Sequence, residues 1–429
     1  MKPMFDELNA LLGDIAIPPV VKVRQDFPDL QLPDVGGTLV KLLRDRNPDI
    51  KPGQRIAITC GSRGVDNYPL LVKTIVDYVK SRQASPVLIP AMGSHGGATA
   101  EGQIEVLRLY GITEEAMGAP VISSMEVVEL GLSERGLPAY TDKNAYACDG
   151  VILLNRIKMH TGFRGKIESG LIKMASIGLG KQKGCDMIHF SGFDEMGENI
   201  LAVGKLVFDK LNIICGVGLV EDSFGHTAEV RVLSRDEIFE KEPELLERSK
   251  DLMPQLYIDQ ADVLIAQLMG KNIAGSGLDS NILGRYNVKK PLGGPNFDIM
   301  GVLDLSDESE GNAMGMGMAE FATRRLYQKI DFIKGYTNAI SATAVYSNRM
   351  PMILDSDKLV VQATIKFACR TDRMQTSMVY IYNTKQIEEI FMTRAALDLI
   401  PEKYRSRIEV LGDFQPVPFD EAGNLRLFV

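Results

Sequence analysis

The sequence predicts an α/β protein made of two α/β domains with mixed or parallel sheets. Short apolar, β-branched runs alternate with amphipathic stretches along its 429 residues, a pattern typical of strands covered by helices. This length is enough for two or three domains that each bury a core. The hydrophobic fraction of 45% and the charged fraction of 24% are those of an ordinary globular protein. They exclude a disordered or fibrous chain.

In the first half of the chain, predicted strands are followed by Gly-rich loops and helices. The predicted strands are RIAITC (55–60), PVLIPAM (86–92), GVILLNRI (150–157) and LNIICGVGLV (211–220). LLVKTIVDYVK (70–80) has apolar residues at helical spacing, and Thr99 begins a further helix. This order predicts a doubly wound sheet whose functional loops follow the strand ends.

The most charged stretch, residues 235–256, is predicted to be a solvent-facing helical connector between two domains. We therefore expect an N-terminal domain at 1–250 and a C-terminal domain at 251–429. In the second domain the predicted elements are strands at 261–267, 297–305 and 377–383 and a helix near 319–330.

Charge and cysteine content exclude several classes of protein. The 48 basic and 56 acidic residues give a net charge of −8, so nucleic acid is not an expected partner. Five scattered cysteines argue against a disulfide framework or a zinc ribbon. No apolar run approaches the ~20 residues of a membrane span, and the acidic N-terminal stretch is unlike a secretory signal. We expect a cytoplasmic protein without a membrane partner.

The four histidines are the most informative residues. They are His95 in GSHGG, His160 in RIKMHTGFRGK, His189 in CDMIHF and His226 in SFGHT. Three of them follow predicted strand ends or lie in Gly-rich loops, where binding residues concentrate. Their spacing matches no local zinc motif. Two could instead carry protons, because imidazole titrates near neutral pH, although a single histidine is more often an ordinary surface or core residue.

Three cationic side chains are candidates for ligand binding. Arg63, between glycines in GSRG, is either a clamp for a carboxylate or phosphate or a solvated loop residue. Lys173 stands among apolar residues in the lysine- and glycine-rich segment 158–183, either with its charge at the surface or held in a reactive site. Lys271 belongs to a second Gly-rich loop, 269–286.

The order of GSHGG, a histidine loop after the third strand, SGLIK and a later histidine resembles the nickel-dependent lactate racemase family. The most specific part is SGLIKMASIGLGKQKGCDMIH. The resemblance implies an α-hydroxyacid racemase or epimerase with an active-site cleft between two α/β domains. Lys173 would anchor the cofactor, and His189, sixteen residues later, would bind nickel. His95 and His160 would be the acid/base pair, and Arg63 would hold the substrate carboxylate.

The resemblance also implies a cofactor and partners. The cofactor would be the nickel-pincer nucleotide, a nickel complex of pyridinium-3-thioamide-5-thiocarboxylic acid mononucleotide, made by separate biosynthetic enzymes. The substrate would be a small anionic 2-hydroxy acid or sugar acid, and Lys271 would stand in for a polar and basic pair of the family. The chain differs from the family at Cys60, where lactate racemase has an Asp three residues before the arginine, and in a longer stretch between His160 and Lys173.

Two other functions are compatible with these residues. One is a metal-dependent hydrolase or lyase with His95, His160 and His189 as metal ligands. The other is a non-catalytic protein that binds a carboxylate.

Overall fold

The computed structural model describes residues 10–62, 64–288 and 291–428, which form two compact units. One unit runs from Pro28 to Met253. The other combines the described residues up to Phe27 with the chain from Pro254 onward. The predicted division at 250/251 had assigned the whole N-terminal segment to the first domain.

The regular elements alternate along the chain as an α/β protein requires. In chain order the strands are β1 (Val20–Gln25), β2 (Arg55–Cys60), β3 (Ser85–Pro90), β4 (Val127–Leu132), β5 (Pro138–Asp142), β6 (Gly150–Arg156), β7 (Ile213–Glu221), β8 (Thr227–Ser234), β9 (Gln260–Met269), β10 (Asn296–Leu305), β11 (Phe321–Thr323), β12 (Met352–Leu354), β13 (Met378–Ile381), β14 (Glu389–Thr393) and β15 (Ile408–Gln415). The α-helices are Val35–Arg46, Tyr68–Ser81, Ala100–Leu109, Glu114–Met117, Lys143–Tyr146, Leu171–Lys173, Lys181–His189, Met196–Lys210, Arg235–Leu252, Ser280–Leu283, Arg324–Gln328, Phe332–Ser341, Asp357–Phe367, Arg394–Asp398 and Glu402–Arg405, and Met174–Gly178 is a π-helix.

The unit Pro28–Met253 is built on a five-stranded sheet in the order β3-β2-β6-β7-β8. The first four strands are parallel, and β8 is antiparallel to β7. Cys60 at the end of β2 lies opposite Pro90 at the end of β3. The carboxyl ends of these parallel strands therefore meet at one edge of the sheet.

Both faces of this sheet are buried. Ile58 of β2 belongs to one apolar core, and its neighbour Ala57 to the other, because successive side chains of a strand point to opposite faces. The covering helices are Val35–Arg46 and Tyr68–Ser81 on the first face and Met196–Lys210 and Arg235–Leu252 on the second. This is the doubly wound arrangement that the sequence predicts.

The helix Arg235–Leu252 corrects one expectation. The charged stretch 235–256 does form a helix, but that helix is part of the unit Pro28–Met253 rather than a solvent-facing connector. Ile238 and Leu246 are buried in its core. Most of its charged residues lie on its exposed face, but Glu242 is buried with the apolar stripe.

The other unit contains an eight-stranded mixed sheet in the order β12-β11-β10-β9-β13-β14-β1-β15. β1 lies between β14 and β15 and pairs antiparallel with both, with Val23 opposite Ile390 and Val410. This pairing is the physical reason why the N-terminal segment belongs with the C-terminal part of the chain.

Two further findings concern single elements. The helix predicted near 319–330 is the buried strand β11 followed by the short helix Arg324–Gln328, which Thr323 caps by accepting a hydrogen bond from the Leu326 amide. Within the described ranges, no helix combines the length and the apolar character needed to cross a bilayer.

We expect Val23→Asp to destabilise the eight-stranded sheet, because Val23 is completely buried and an unpaired charge there loses its hydration. The expected loss in the free energy of unfolding is more than about 3 kcal/mol. Hydrogen exchange followed by mass spectrometry should show faster exchange in peptides of β13, β14 and β15. Arg24→Gln, which removes only exposed ion pairs, should change little. Faster exchange confined to residues 28–253 would contradict this assignment of β1.

Candidate active site

Three loops at the carboxyl edge of the five-stranded sheet carry the predicted site residues. Ser62 follows β2, His95 follows β3 and His160 follows β6. The first loop is held by the Tyr68 hydroxyl, which accepts a hydrogen bond from the Gly61 amide at 2.5 Å. Arg63, the predicted substrate clamp, lies outside the described residues.

The GSHGG loop turns sharply after β3. Gly93 has φ +59°, and its amide donates to the Gly178 carbonyl at 3.2 Å. A Cβ there would lie 3.3 Å from Cγ2 of Ile177, so glycine allows the close approach. The loop exposes His95, whose Nδ1 is hydrogen-bonded to Oγ of Ser62. Ser62 therefore orients the imidazole.

The loop that carries His160 is closed at its base. Lys158 and Ser169 exchange backbone hydrogen bonds of 2.9 and 3.1 Å, which form an isolated antiparallel bridge. Inside the loop, the buried Glu168 accepts a hydrogen bond from the His160 amide at 2.6 Å. Arg164 donates to the His160 carbonyl at 2.7 Å. The backbone of His160 is thus held on both sides.

The ring of His160 has a defined tautomer. Its Nδ1 accepts a hydrogen bond from the Gly162 amide at 3.0 Å, so a neutral ring carries its proton on Nε2. Burial lowers the pKa of His160 well below its usual value, and the positive charges of Lys173 and His189 lower it further. His160 is therefore a neutral imidazole with Nε2–H as its donor.

Lys173 ends a single helical turn, Leu171–Lys173, and is half-buried. The chain continues as the π-helix Met174–Gly178, in which the Leu179 amide donates to the Met174 carbonyl at 2.9 Å. Such wide turns are rare and occur frequently at functional sites.

The start of the Lys173 turn is capped by a buried carboxyl group. Oε2 of Glu242 accepts hydrogen bonds from the amides of Leu171 and Ile172 at 2.9 and 3.0 Å. A Cβ on Gly170 would lie only 2.2 Å from Oε1 of Glu242, so this approach requires glycine. Burial raises the pKa of Glu242 to about 7, against the opposing effect of the two amides.

His189 ends the helix Lys181–His189 and pairs with Cys185 one turn earlier. Its Nδ1 lies 2.7 Å from the Cys185 carbonyl oxygen and 3.5 Å from the Cys185 Sγ. Burial alone would lower the pKa of His189, but the contacts with Cys185 raise it overall. The same pairing lowers the pKa of the Cys185 thiol, against the effect of burial. A proton on Nδ1 that is donated to the carbonyl leaves the Nε2 lone pair available as a metal ligand.

His95, His160, Lys173 and His189 all belong to the unit Pro28–Met253. The Phe193 ring lies near two of them, with its centroid 6.4 Å from that of His160 and 6.3 Å from that of His189. The charge of Lys173 acts on both of these histidines. On the other side, Oγ of Ser94 lies 3.7 Å from Sγ of Cys185 and joins the His95 loop to the His189 helix.

Lys271, the remaining predicted site residue, belongs to the other unit, where it follows β9. Its Nζ donates to the Gly275 carbonyl at 2.7 Å and lies 3.3 Å from Sδ of Met314. The Ser309 hydroxyl, which follows β10, accepts from its amide at 2.8 Å. These contacts stabilise the Gly-rich loop 269–286.

His226 lies apart from the other three histidines, beside two aspartates. Its Nδ1 is 3.8 Å from Asp29 Oδ1 and 3.7 Å from Asp222 Oδ2. Among the described residues, these three form the one group of metal-ligating side chains whose donor atoms converge. His95, His160 and His189 do not form such a group.

Several residues of the site were missed by sequence reasoning. Cys185 was not among the candidate residues, although its spacing of four from His189 on a helix could have signalled the contact. Ser62 was not predicted as a site residue, although it is next to Arg63. Glu168 was not predicted either, because the interpretation of segment 158–183 rested on its lysines. Glu242 lies in the stretch that looked fully solvated, and nothing in its local sequence marks it as buried.

The geometry defines a two-unit α/β protein with its candidate site at the carboxyl edge of a doubly wound sheet. The chain is similar in structure to a protein from Thermotoga maritima, with 12% identity and a TM-score of 0.51 over 74% of this chain and 83% of that chain. It is also similar to the lactate racemase apoprotein from Thermoanaerobacterium thermosaccharolyticum, with 13% identity and a TM-score of 0.45 over 90% of this chain and 93% of that chain. No protein-family model and no curated protein sequence matches the chain. At 12% identity the likeness to the Thermotoga protein concerns the fold alone, and the looser likeness to the racemase adds nothing to it.

We expect Glu242→Gln to flatten the pH dependence of stability. Because the pKa of Glu242 is about 7 in the folded protein and 4.5 is its ordinary value, the folded state binds more protons between these values, and stability falls as the pH rises through them. At about 1.4 kcal/mol per pH unit, the difference between these two pKa values corresponds to a fall of roughly 3 kcal/mol in the free energy of unfolding. Urea unfolding at several pH values should show this fall in the parent protein and not in Glu242→Gln.

The matched control is Glu244→Gln, on the exposed face of the same helix, which should keep the parent's pH profile. Identical pH profiles for the parent and Glu242→Gln would show that Glu242 titrates normally.

Proposed function

We propose that the protein is a racemase or epimerase that inverts Cα of a small 2-hydroxy acid or sugar acid with a nickel-pincer nucleotide. The observation that carries the proposal is that the Phe193 ring contacts both His160 and His189 while the charge of Lys173 acts on both imidazoles. The sequence resemblance names the same residues.

The residues present fit the nucleotide. Lys173 would hold it through its amine, and Nε2 of His189 would bind the nickel ion, since the Nδ1 contact with the Cys185 carbonyl favours the tautomer that leaves Nε2 unprotonated. Neutral imidazole suits nickel. When bound, the group would accept hydride from the substrate Cα and return it, a step for which proteins have no side chain.

The two remaining histidines would handle the proton and the oxygen of the substrate hydroxyl. His95, held at Nδ1 by Ser62, would take the hydroxyl proton at Nε2 and return it. His160 would donate a hydrogen bond from Nε2–H to the same oxygen while the substrate is a planar 2-keto acid. In this proposal His160 orients and polarises the oxygen, a narrower role than that of an equal acid/base partner.

An anionic substrate agrees with the cations that the sequence provides. Arg63 would bind the carboxylate through its two-pronged guanidinium group, and Lys271 remains a candidate for a second contact. With the carboxylate fixed, Cα could present either face to the hydride carrier.

The metal-dependent hydrolase or lyase is less well supported. It needs three histidine nitrogens at ~2.0–2.1 Å from one ion, whereas His95, His160 and His189 do not form a group with converging donor atoms among the described residues. A carboxylate-binding protein without catalysis would give no reason for a lysine whose charge acts on two histidines.

The first test is chemical. Protein co-expressed with the enzymes that make the nucleotide should carry its mass on Lys173, and the purified protein should contain nickel. We expect Lys173→Ala to lose the adduct, and His189→Ala to lose nickel while it keeps the adduct. His226→Ala should keep both. Peptide mass spectrometry and metal analysis measure these outcomes, and an unmodified Lys173 in the parent protein would contradict the proposal.

The second test is catalytic. The loaded protein should racemise or epimerise at least one acid in a panel of 2-hydroxy acids without NAD, as measured by chiral chromatography. We expect His95→Ala and His95→Gln to lose about 10²–10⁴-fold in rate. One hydrogen-bond donor of this kind contributes roughly 10²–10³-fold to the rate. His160→Gln, whose side-chain amide can still donate, should therefore react faster than His160→Ala by much of this factor. Equal rates for these two His160 variants would contradict the donor role, and no turnover of any acid would contradict the reaction.

A further inference from the structure

One lysine of the segment 158–183 is completely buried. Lys181 has no exposed side-chain surface, and neither has Asp142, whose Oδ2 lies 3.2 Å from its Nζ. The other two contacts of Nζ are the Pro90 carbonyl oxygen and Oε1 of Gln103, at 2.9 Å. The ammonium group thus has one buried carboxylate counter-ion and two hydrogen-bond acceptors.

This arrangement is unfavourable for stability alone. Burying a charged pair costs hydration, and apolar residues of similar size are often at least as stabilising. Lys181 also has φ +55°, a left-handed conformation that a residue with a Cβ adopts at a cost of about 1–2 kcal/mol. Such features persist where the surrounding structure holds them in place.

The contacts of Gln103 lead directly to the candidate proton carrier. Because Oε1 accepts from Lys181, the amide is oriented with Nε2 toward the GSHGG loop, where it donates to the carbonyls of Gly93 at 2.9 Å and His95 at 3.3 Å. Gln103 is fully buried. The position of the His95 backbone therefore depends on the ammonium group through one intermediate side chain.

Lys181 is also connected to the candidate metal ligand, His189, through the helix that it begins. Lys181 is the first residue of the helix Lys181–His189, which ends at His189. Its Nζ is tied to the end of β3 at Pro90 and to the end of β5 at Asp142. The start of this helix is thus fixed to the same strand that leads into the His95 loop.

We infer that Lys181 is a positioning residue that holds His95 and His189 in one frame, with Gln103 as its link to the His95 loop and Asp142 as its counter-ion. An apolar residue at 181 could fill the space but could not hold the two hydrogen-bond acceptors and the counter-ion in place. The inference rests on the proposed function for its catalytic meaning, but its geometry does not depend on the cofactor.

Histidine NMR on the protein without added nickel or nucleotide tests the inference, since the chain has only four histidines. In Gln103→Leu we expect the imidazole signals and pKa of His95 to change while those of His189 stay. In Lys181→Met we expect both His95 and His189 to change. His226, which lies beside Asp29 and Asp222, is the internal control, and its signals should not change in either variant.

The double variant Asp142→Asn/Lys181→Met separates positioning from stability. It removes both charges, so thermal stability lost in Lys181→Met should largely return, while the altered His95 and His189 signals should remain. Recovery of the parent signals together with stability would overturn the inference, and so would unchanged His95 signals in Gln103→Leu. If Lys181→Met does not fold, the double variant and Gln103→Leu decide the matter.

Activity provides a separate readout. If the loaded protein racemises a 2-hydroxy acid, Gln103→Leu should lower kcat by about 10–100-fold, the effect of a misplacement of about 1 Å, with little change in KM. Absence of any racemisation in the parent would refute the proposed function and leave the NMR result standing.

Discussion

The parallel register of β2, β3 and β6 brings three loops to the same edge of one sheet, and the candidate site depends on this alignment. Cys60, Pro90 and Arg156 end their strands there. Each following loop needs only a few residues to present Ser62, His95 or His160. The strands are buried on both faces, so the edge is held by the apolar cores rather than by the loops themselves. The loops are then free to differ in length and chemistry.

The sheet sets the approximate position of the site's loops, and buried polar groups then fix these loops in detail. Each loop or turn of the site has its own carboxyl, hydroxyl or amide anchor: Tyr68 for the first loop, Gln103 for the second, Glu168 for the third and Glu242 for the Lys173 turn. Hydrogen bonds in a buried, low-dielectric environment are directional and costly to leave unmade. The result is a set of candidate-site side chains whose backbones have little freedom.

The sequence predicted the strands, the loops and the residue types of the site better than it predicted their anchors. β2, β3, β6 and β7 were recognisable because continuous apolar runs between Gly-rich loops are typical of parallel strands. β1 was missed as a partner of β14 and β15 because its pairing spans more than 360 residues. Glu242 and Lys181 could not be recognised as buried, since local composition does not reveal which face of a charged helix packs inward. Arg63 lies outside the described residues, so its expected role remains a prediction.

The π-turn after Lys173 has a geometric consequence for the whole site. In an unbroken α-helix, sixteen residues would separate Lys173 and His189 by about 24 Å along the axis and by about 160° around it, with the two side chains on opposite sides. The wide turn at Met174–Gly178 and the left-handed backbone of Lys181 interrupt that helix, and the charge of Lys173 does act on His189. The sixteen-residue spacing therefore allows the charge of Lys173 to act on His189 only with the interruption in place. Loss or gain of one residue between Lys173 and His189 would change the relative directions of their side chains while leaving every apolar strand intact.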